Sequence, residues 1–320
     1  MTEPSLSDRV LAGDPRAIAR AISLVEDESA AGAALVRRIF AATGRAYYIG
    51  VTGPPGAGKS TLVDRLTATL RARGRTVGIV AVDPTSPFTG GALLGDRVRM
   101  QAHAGDPGVF IRSMATRGHL GGLARSTGDA ALVLDAAGRD VVIIETVCVG
   151  QDEVDIVRTA DVSVVTLVPG AGDEVQALKA GVMEIADIFC VNKADREGAD
   201  RTAASIEAML SLRTFGADEW RPPIVKTEAT TGKGVDALVA AIERFREHSR
   251  SGHAARRRAR AEHRLRELLA DRLLHHVETR VLGPGELAGI LDQVDARTLD
   301  PYSAADTLVR RALRQADAQR

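Results

Sequence analysis

The chain has 320 residues, 45% hydrophobic and 26% charged, enough to bury one large core with flanking elements and unlike a fibrous or disordered chain. Lys plus Arg and Asp plus Glu number 42 each, so no net field draws in nucleic acid or an anionic membrane, and neither is expected as a partner. Two cysteines, Cys148 and Cys190, form no spaced pair, which argues against a disulfide framework or structural zinc, and no apolar run reaches the roughly 20 residues that span a bilayer; a cytoplasmic protein is expected.

Residues 1–45 read as an N-terminal helical extension, with Asp14-Pro15 as N-cap and first helical residue and Ile18, Ile22 and Val25 following at helical spacing. Over 46–245, short β-branched runs at 47–51, 76–82, 109–113, 141–145, 162–168, 188–192 and 224–226 alternate with helix-like stretches. That rhythm predicts an α/β fold with a doubly wound, mostly parallel sheet. The unbroken apolar Val-Val-Ile-Ile at 141–144 suits a strand covered on both faces. Residues 246–320 read as a C-terminal helical arm, in which Leu265, Leu268, Leu269, Leu273 and Val277 mark one amphipathic helix. Gly283-Pro284-Gly285 interrupts it and Asp300-Pro301 opens a last helix, while the basic run 255–260 reads as a solvated helical face.

The residues that carry chemistry fall where such sheets bind ligands, at the carboxyl ends of strands. Gly53, Pro54, Pro55, Gly56, Ala57, Gly58, Lys59 and Ser60 match G-x-x-x-x-G-K-[ST] between a predicted strand and a helix that runs on from Thr61, the setting of a P-loop NTPase. Glycines let backbone N–H groups converge on phosphates, Lys59 reaches the β/γ oxygens and Ser60 can ligate Mg²⁺. Glu145, leaving a buried strand, reads as the magnesium-side acid. Asp83 and Asp96 can each hold a magnesium water or orient the attacking water, and spacing does not separate those roles. Asn192-Lys193-Ala194-Asp195 matches the guanine-reading N-K-x-D, with Asn192, Lys193 and a buried Asp195 carboxylate expected at the base. Such a carboxylate pairs with the N1–H and N2–H₂ of guanine and is left unpaired by adenine, a mismatch that can discriminate by about 10⁴–10⁵. Glu228 and Ala229, after the last short strand, fall where a further loop meets the base.

Taken together, residues 45–245 resemble the methylmalonyl-CoA mutase-associated GTPases of the MeaB/ArgK type. The resemblance rests on Gly-Pro-Pro-Gly-Ala-Gly-Lys-Ser-Thr at 53–61, Val-Asp-Pro-Thr-Ser at 82–86, the run 90–100, Phe-Ile-Arg-Ser at 110–113 with 117–122, Glu-Thr-Val-Cys-Val-Gly-Gln at 145–151 and Pro-Gly-Ala-Gly-Asp-Glu-Val-Gln at 169–176. It implies a GTPase, binding GTP/GDP and Mg²⁺, that acts as a homodimeric chaperone of an adenosylcobalamin-dependent acyl-CoA mutase. Hydrolysis would be coupled to cofactor loading, protection or replacement. By position it also implies Ser60, Asp83, Asp96 and Glu145 around Mg²⁺ and the γ-phosphate, Asp173 and Lys179 on a partner-responsive segment that supplies transition-state charge, and a dimer arm after about residue 246. The chain departs from the family at Cys148, where the family carries the switch glycine; this bears on the loop's response to nucleotide, not on binding. The competing readings are an ATP-using P-loop phosphotransferase, against which N-K-A-D argues, a nickel-insertion GTPase, for which His275-His276 is the sole close His or Cys pair, and a scaffold that holds GTP as a structural ligand.

Overall fold

A computed structural model describes residues 4–83, 101–103, 105–115, 122–146, 159–170, 185–216 and 218–318. It divides into two compact units, 1–254 and 255–320.

In the first unit seven strands form one parallel sheet in the order β3-β2-β4-β1-β5-β6-β7. They are β1 (Tyr47–Thr52), β2 (Val77–Asp83), β3 (Val109–Ala115), β4 (Val141–Thr146), β5 (Val162–Leu167), β6 (Ile188–Val191) and β7 (Ile224–Lys226), each within two residues of the predicted run at either end. Strands β4 and β5 are buried at every position, as a strand covered on both faces must be. The period of two sorts their side chains. Ile49, Val51, Ile79 and Ile143 face α4 (Lys59–Ala72), through Leu62, Leu66 and Leu70, and α7 (Val235–His248), through Leu238, Ile242 and Phe245. Val80, Val82, Val142 and Ile144 face the opposite way, against α2 (Pro15–Glu26), α3 (Ala30–Ile39) and α5 (Gly122–Ala136). A third cluster seats α6 (Ala199–Leu210) on β5 and β6 through Ile206 and Leu210. Because β4 and β5 lie on either side of β1, the chain reverses its direction of travel across the sheet there, and the end of β1 opens into the crevice that results.

The N-terminal helices share this core. The N-cap at Asp14 forms as expected, its Oδ1 accepting from Arg16 N at 2.9 Å and Ala17 N at 3.4 Å. Before it stands a short helix, α1 (Leu6–Leu11), that apolar periodicity alone does not announce; a capping box between Ser5 and Asp8 starts it. The passage from these helices into β1 is fixed by the buried Asp135 of α5. Its carboxylate accepts from Gly44 N (2.6 Å), Arg45 N (3.2 Å), Ala46 N (3.0 Å) and the Tyr48 hydroxyl (3.1 Å).

The second unit comprises most of α8 (His253–His276), a π-helical turn (Val277–Val281), α9 (Glu286–Asp295) and α10 (Pro301–Ala318). The break expected at 283–285 is present, with Gly285 at φ +75° as the N-cap of α9. Arg311 of α10 donates to the Val281 carbonyl at 2.6 Å and pairs with Glu286.

Candidate active site

The phosphate loop is shaped by two glycines that admit no side chain. Gly53 leaves β1 at φ +139°, where a Cβ would stand 2.0 Å from the Thr166 carbonyl oxygen of β5. Gly58 caps α4 at φ +83°, where a Cβ would stand 2.6 Å from Asn192 Nδ2. The first turn of α4 then delivers Lys59 and Ser60, both buried, into the crevice. Lys59 Nζ donates to the carbonyls of Gly53 (2.7 Å) and Pro54 (3.0 Å), which compensates its burial and holds the ammonium across the loop. Ser60 Oγ donates to Glu145 Oε1 at 2.7 Å, a buried link from α4 to the end of β4. Beside it the hydroxyls of Thr52 and Thr146, closing β1 and β4, pair at 2.9 Å.

The guanine motif meets this loop directly. Asn192 is buried; its Nδ2 donates to Ala57 O at 2.9 Å and its Oδ1 accepts from Thr227 Oγ1 and Ala229 N, each at 3.1 Å. Lys193, held at φ +56°, donates from Nζ to Gly56 O at 2.6 Å. Sequence-distant segments are thereby joined into one mouth. Thr227 also lies 3.2 Å from Cys190 Sγ, and burial pushes the Cys190 thiol up to about 12, so it acts there as a small packing group. Ala229 is buried, whereas Glu228 pairs with Lys233 at 2.7 Å, and that hydrogen bond holds its carboxyl below the usual range.

Asp195 departs from expectation. It is exposed, not buried, because the turn that follows Lys193 carries it past the end of β6 into water. Asp83 stands at the end of β2 as predicted, its side chain outside the described residues, as are Asp96, Cys148, Asp173 and Lys179 entirely. The structure thus brings together Lys59, Ser60, Glu145, Asn192, Lys193 and Ala229. Pro55 and Gly56 lie exposed on the loop and Thr61 is half-buried on α4. Among the described residues no group of three His, Cys, Asp or Glu side chains converges as a metal site, and the Ser60–Glu145 pair offers only oxygen donors. Sequence reasoning missed Thr52, Thr146 and Arg65. Arg65, on α4, reaches the carbonyls of Ala229 and Thr230, and no local pattern marks a cation on an exposed helical position as anything but solvated.

Residues 18–281 match the family described as methylmalonyl Co-A mutase-associated GTPase MeaB. The chain belongs to the MeaB family. The resemblance read from its motifs is borne out, and with it the activity of the family, hydrolysis of GTP. This MeaB-family chain is 52% identical over 309 residues to a protein of Pyrococcus abyssi, covering 95% of each. It is 37% identical over 245 residues to GTPase ArgK of Escherichia coli, covering 74% of each. With the mitochondrial methylmalonic aciduria type A homolog of Mus musculus it shares 33% over 269 residues, 82% of this chain and 65% of the mouse protein. Its fold matches the crystal structure of an LAO/AO transport system kinase with a TM-score of 0.72 and 28% identity, over 97% and 98% of the two chains. A MeaB-family GTPase binds GTP and GDP.

Proposed function

We propose that this GTPase is a chaperone of an adenosylcobalamin-dependent acyl-CoA mutase, coupling GTP hydrolysis to loading, protection or replacement of the mutase's cofactor. The observation that carries this reading is the match of residues 18–281 to a family described by its association with methylmalonyl-CoA mutase; the mouse relative, named for methylmalonic aciduria, supports it.

In this reading the backbone N–H groups of residues 53–60 and the positive end of α4 cradle the phosphates. Lys59 exchanges the Gly53 and Pro54 carbonyls for β/γ oxygens. Ser60 and Glu145, a hydroxyl and a carboxylate, fit a hard cation and would hold Mg²⁺, with Asp83 and Asp96 as further acids assigned by sequence. Such an ion, when bound, neutralises the charge that develops between the β- and γ-phosphates. Asp195 accepts from the N1–H and N2–H₂ of guanine, with Asn192, Lys193, Glu228 and Ala229 around the base. Asp173 and Lys179 respond to the partner.

The 246–320 arm serves dimerisation. Leu265, Leu269 and Leu273 on α8, Leu287 and Leu291 on α9, and Leu313 on α10 are exposed, in register at i and i+4 on the first two helices, and a stripe of this kind ordinarily faces another apolar surface. The occupant proposed is the same stripe of a second copy.

Gel filtration of the protein with each cobalamin-dependent mutase of its source, in GDP or a non-hydrolysable GTP analogue, tests the partnership. Co-elution that depends on the nucleotide is expected. If every mutase elutes alone under all conditions, the chaperone role is wrong.

A further inference from the structure

Arg65 is not part of any motif read from the sequence, yet it makes a bond pattern that solvent exposure alone does not require. It is the seventh residue of α4, the helix whose first turn carries Lys59 and Ser60. Its Nε donates to the Ala229 carbonyl at 3.2 Å and its Nη2 to the Thr230 carbonyl at 2.9 Å. A planar guanidinium is suited to two acceptors side by side, which a lysine ammonium cannot span in the same fixed geometry. The loop it grips is held from the other side by Asn192, whose Oδ1 takes the Ala229 N–H and the Thr227 hydroxyl. Ala229 is therefore fixed at both its N–H and its C=O, one by the guanine motif and the other by the phosphate helix.

We infer that Arg65 is a positioning residue for guanine recognition, setting the backbone of 229–230 against the base and linking that loop to the helix that begins at the phosphates. The inference rests on the nucleotide-site reading given above. A loop meets a base reproducibly only as well as its backbone is held, because a loop free to move must be ordered anew on each binding event. Nothing in this role touches the phosphates, so the loss should fall on the base alone.

The test measures GDP and ADP affinity, and GDP release, for the parent, Arg65→Ala and Arg65→Lys, with Asp195→Asn alongside. ADP at high concentration engages the phosphate loop without base-specific contacts. Arg65→Ala should weaken GDP by about tenfold, in line with the loss of charge-assisted hydrogen bonds, and speed its release, leaving ADP unchanged; Arg65→Lys should fall between. An equal loss for GDP and ADP would mean that Arg65 merely supports α4, and no change in GDP would mean that it is a surface cation; either overturns the inference. Asp195→Asn should move preference from GDP toward XDP. If it does not, the site reading fails and the inference falls with it; if it does and Arg65→Ala leaves GDP intact, the inference alone fails.

Discussion

Lys59 owes its position to hydrogen bonds that the loop makes with itself, and Asn192 to bonds that tie the end of β6 to that loop and to 227–229. With Nζ on the Gly53 and Pro54 carbonyls, Lys59 is poised where phosphate oxygens compete for it, so Lys59→Ala should lower phosphate release from GTP by about 100-fold or more, the size seen when a single stabiliser of transition-state charge is removed. Parent-like turnover would remove Lys59 from the chemistry. Gly58→Ala places a Cβ 2.6 Å from Asn192 Nδ2 on a left-handed residue, a conformation that costs an L-residue about 1–2 kcal/mol even in open space. GDP affinity should fall, and calorimetry that found it intact would show that the loop re-forms without its contact to Asn192. Cys190 supplies a contrast. With its thiol held protonated far above neutral pH and fully buried, a Cys148→Ser chain should take up no alkylating reagent at pH 8 until it is denatured. The individual letters of these sites are legible in the sequence, but their pairings are not: Asn192 and Ala57 are separated by 135 positions, and nothing local announces that an amide of one motif caps the other. The exposure of Asp195 is hidden for the same reason, since it depends on a turn whose path the letters N-K-A-D do not describe.

Among the elements, the strands could be read because they are short apolar runs with turn residues around them, fully buried at β4 and β5 and only partly at the edge strands β3 and β7. Helices α1 and α9 lie in stretches read as helical, but no bounds for either can be read from spacing; α1 has six residues and begins on a capping box, too short for periodicity to speak. What ties elements together was also hidden. Asp135 stands on α5, yet it serves the passage from the N-terminal helices to β1, each carboxylate oxygen accepting two donors. An amide offers one oxygen and turns its own N–H₂ toward the other pair, so Asp135→Asn should cost roughly 3 kcal/mol in urea unfolding, the scale of leaving buried donors without acceptors. A second tie joins α4 to the start of β3, where Arg71 holds the Asp106 carboxyl below the ordinary carboxylate range. A depressed folded value means that the stabilisation is present above the unfolded value and fades as pH drops through the folded one. The urea midpoint should therefore fall less between about pH 5 and pH 2 in Asp106→Asn than in the parent. Identical slopes would show that this pair carries no pH dependence.

For the whole molecule, the two units differ in how they keep apolar surface from water. The first encloses three clusters between sheet and helices, while residues 255–320 bury Val281 and Ala304 and leave leucines of α8 and α9 exposed. If a second copy covers that stripe, Leu269→Asp with Leu273→Asp should convert a dimer to a monomer in sedimentation velocity and leave GDP binding unchanged. A parent that sediments as a monomer at micromolar concentration would contradict the arm's role.

The most direct test of the account as a whole is phosphate release from GTP by the purified protein, with and without the mutase proposed as its partner. The slow intrinsic rate expected of a GTPase whose transition-state charge is supplied in response to a partner should rise severalfold or more when the mutase is added, and Lys179→Ala should abolish the rise with GDP affinity nearly intact. Hydrolysis that runs at one rate with or without every cobalamin-dependent mutase of the source would contradict it.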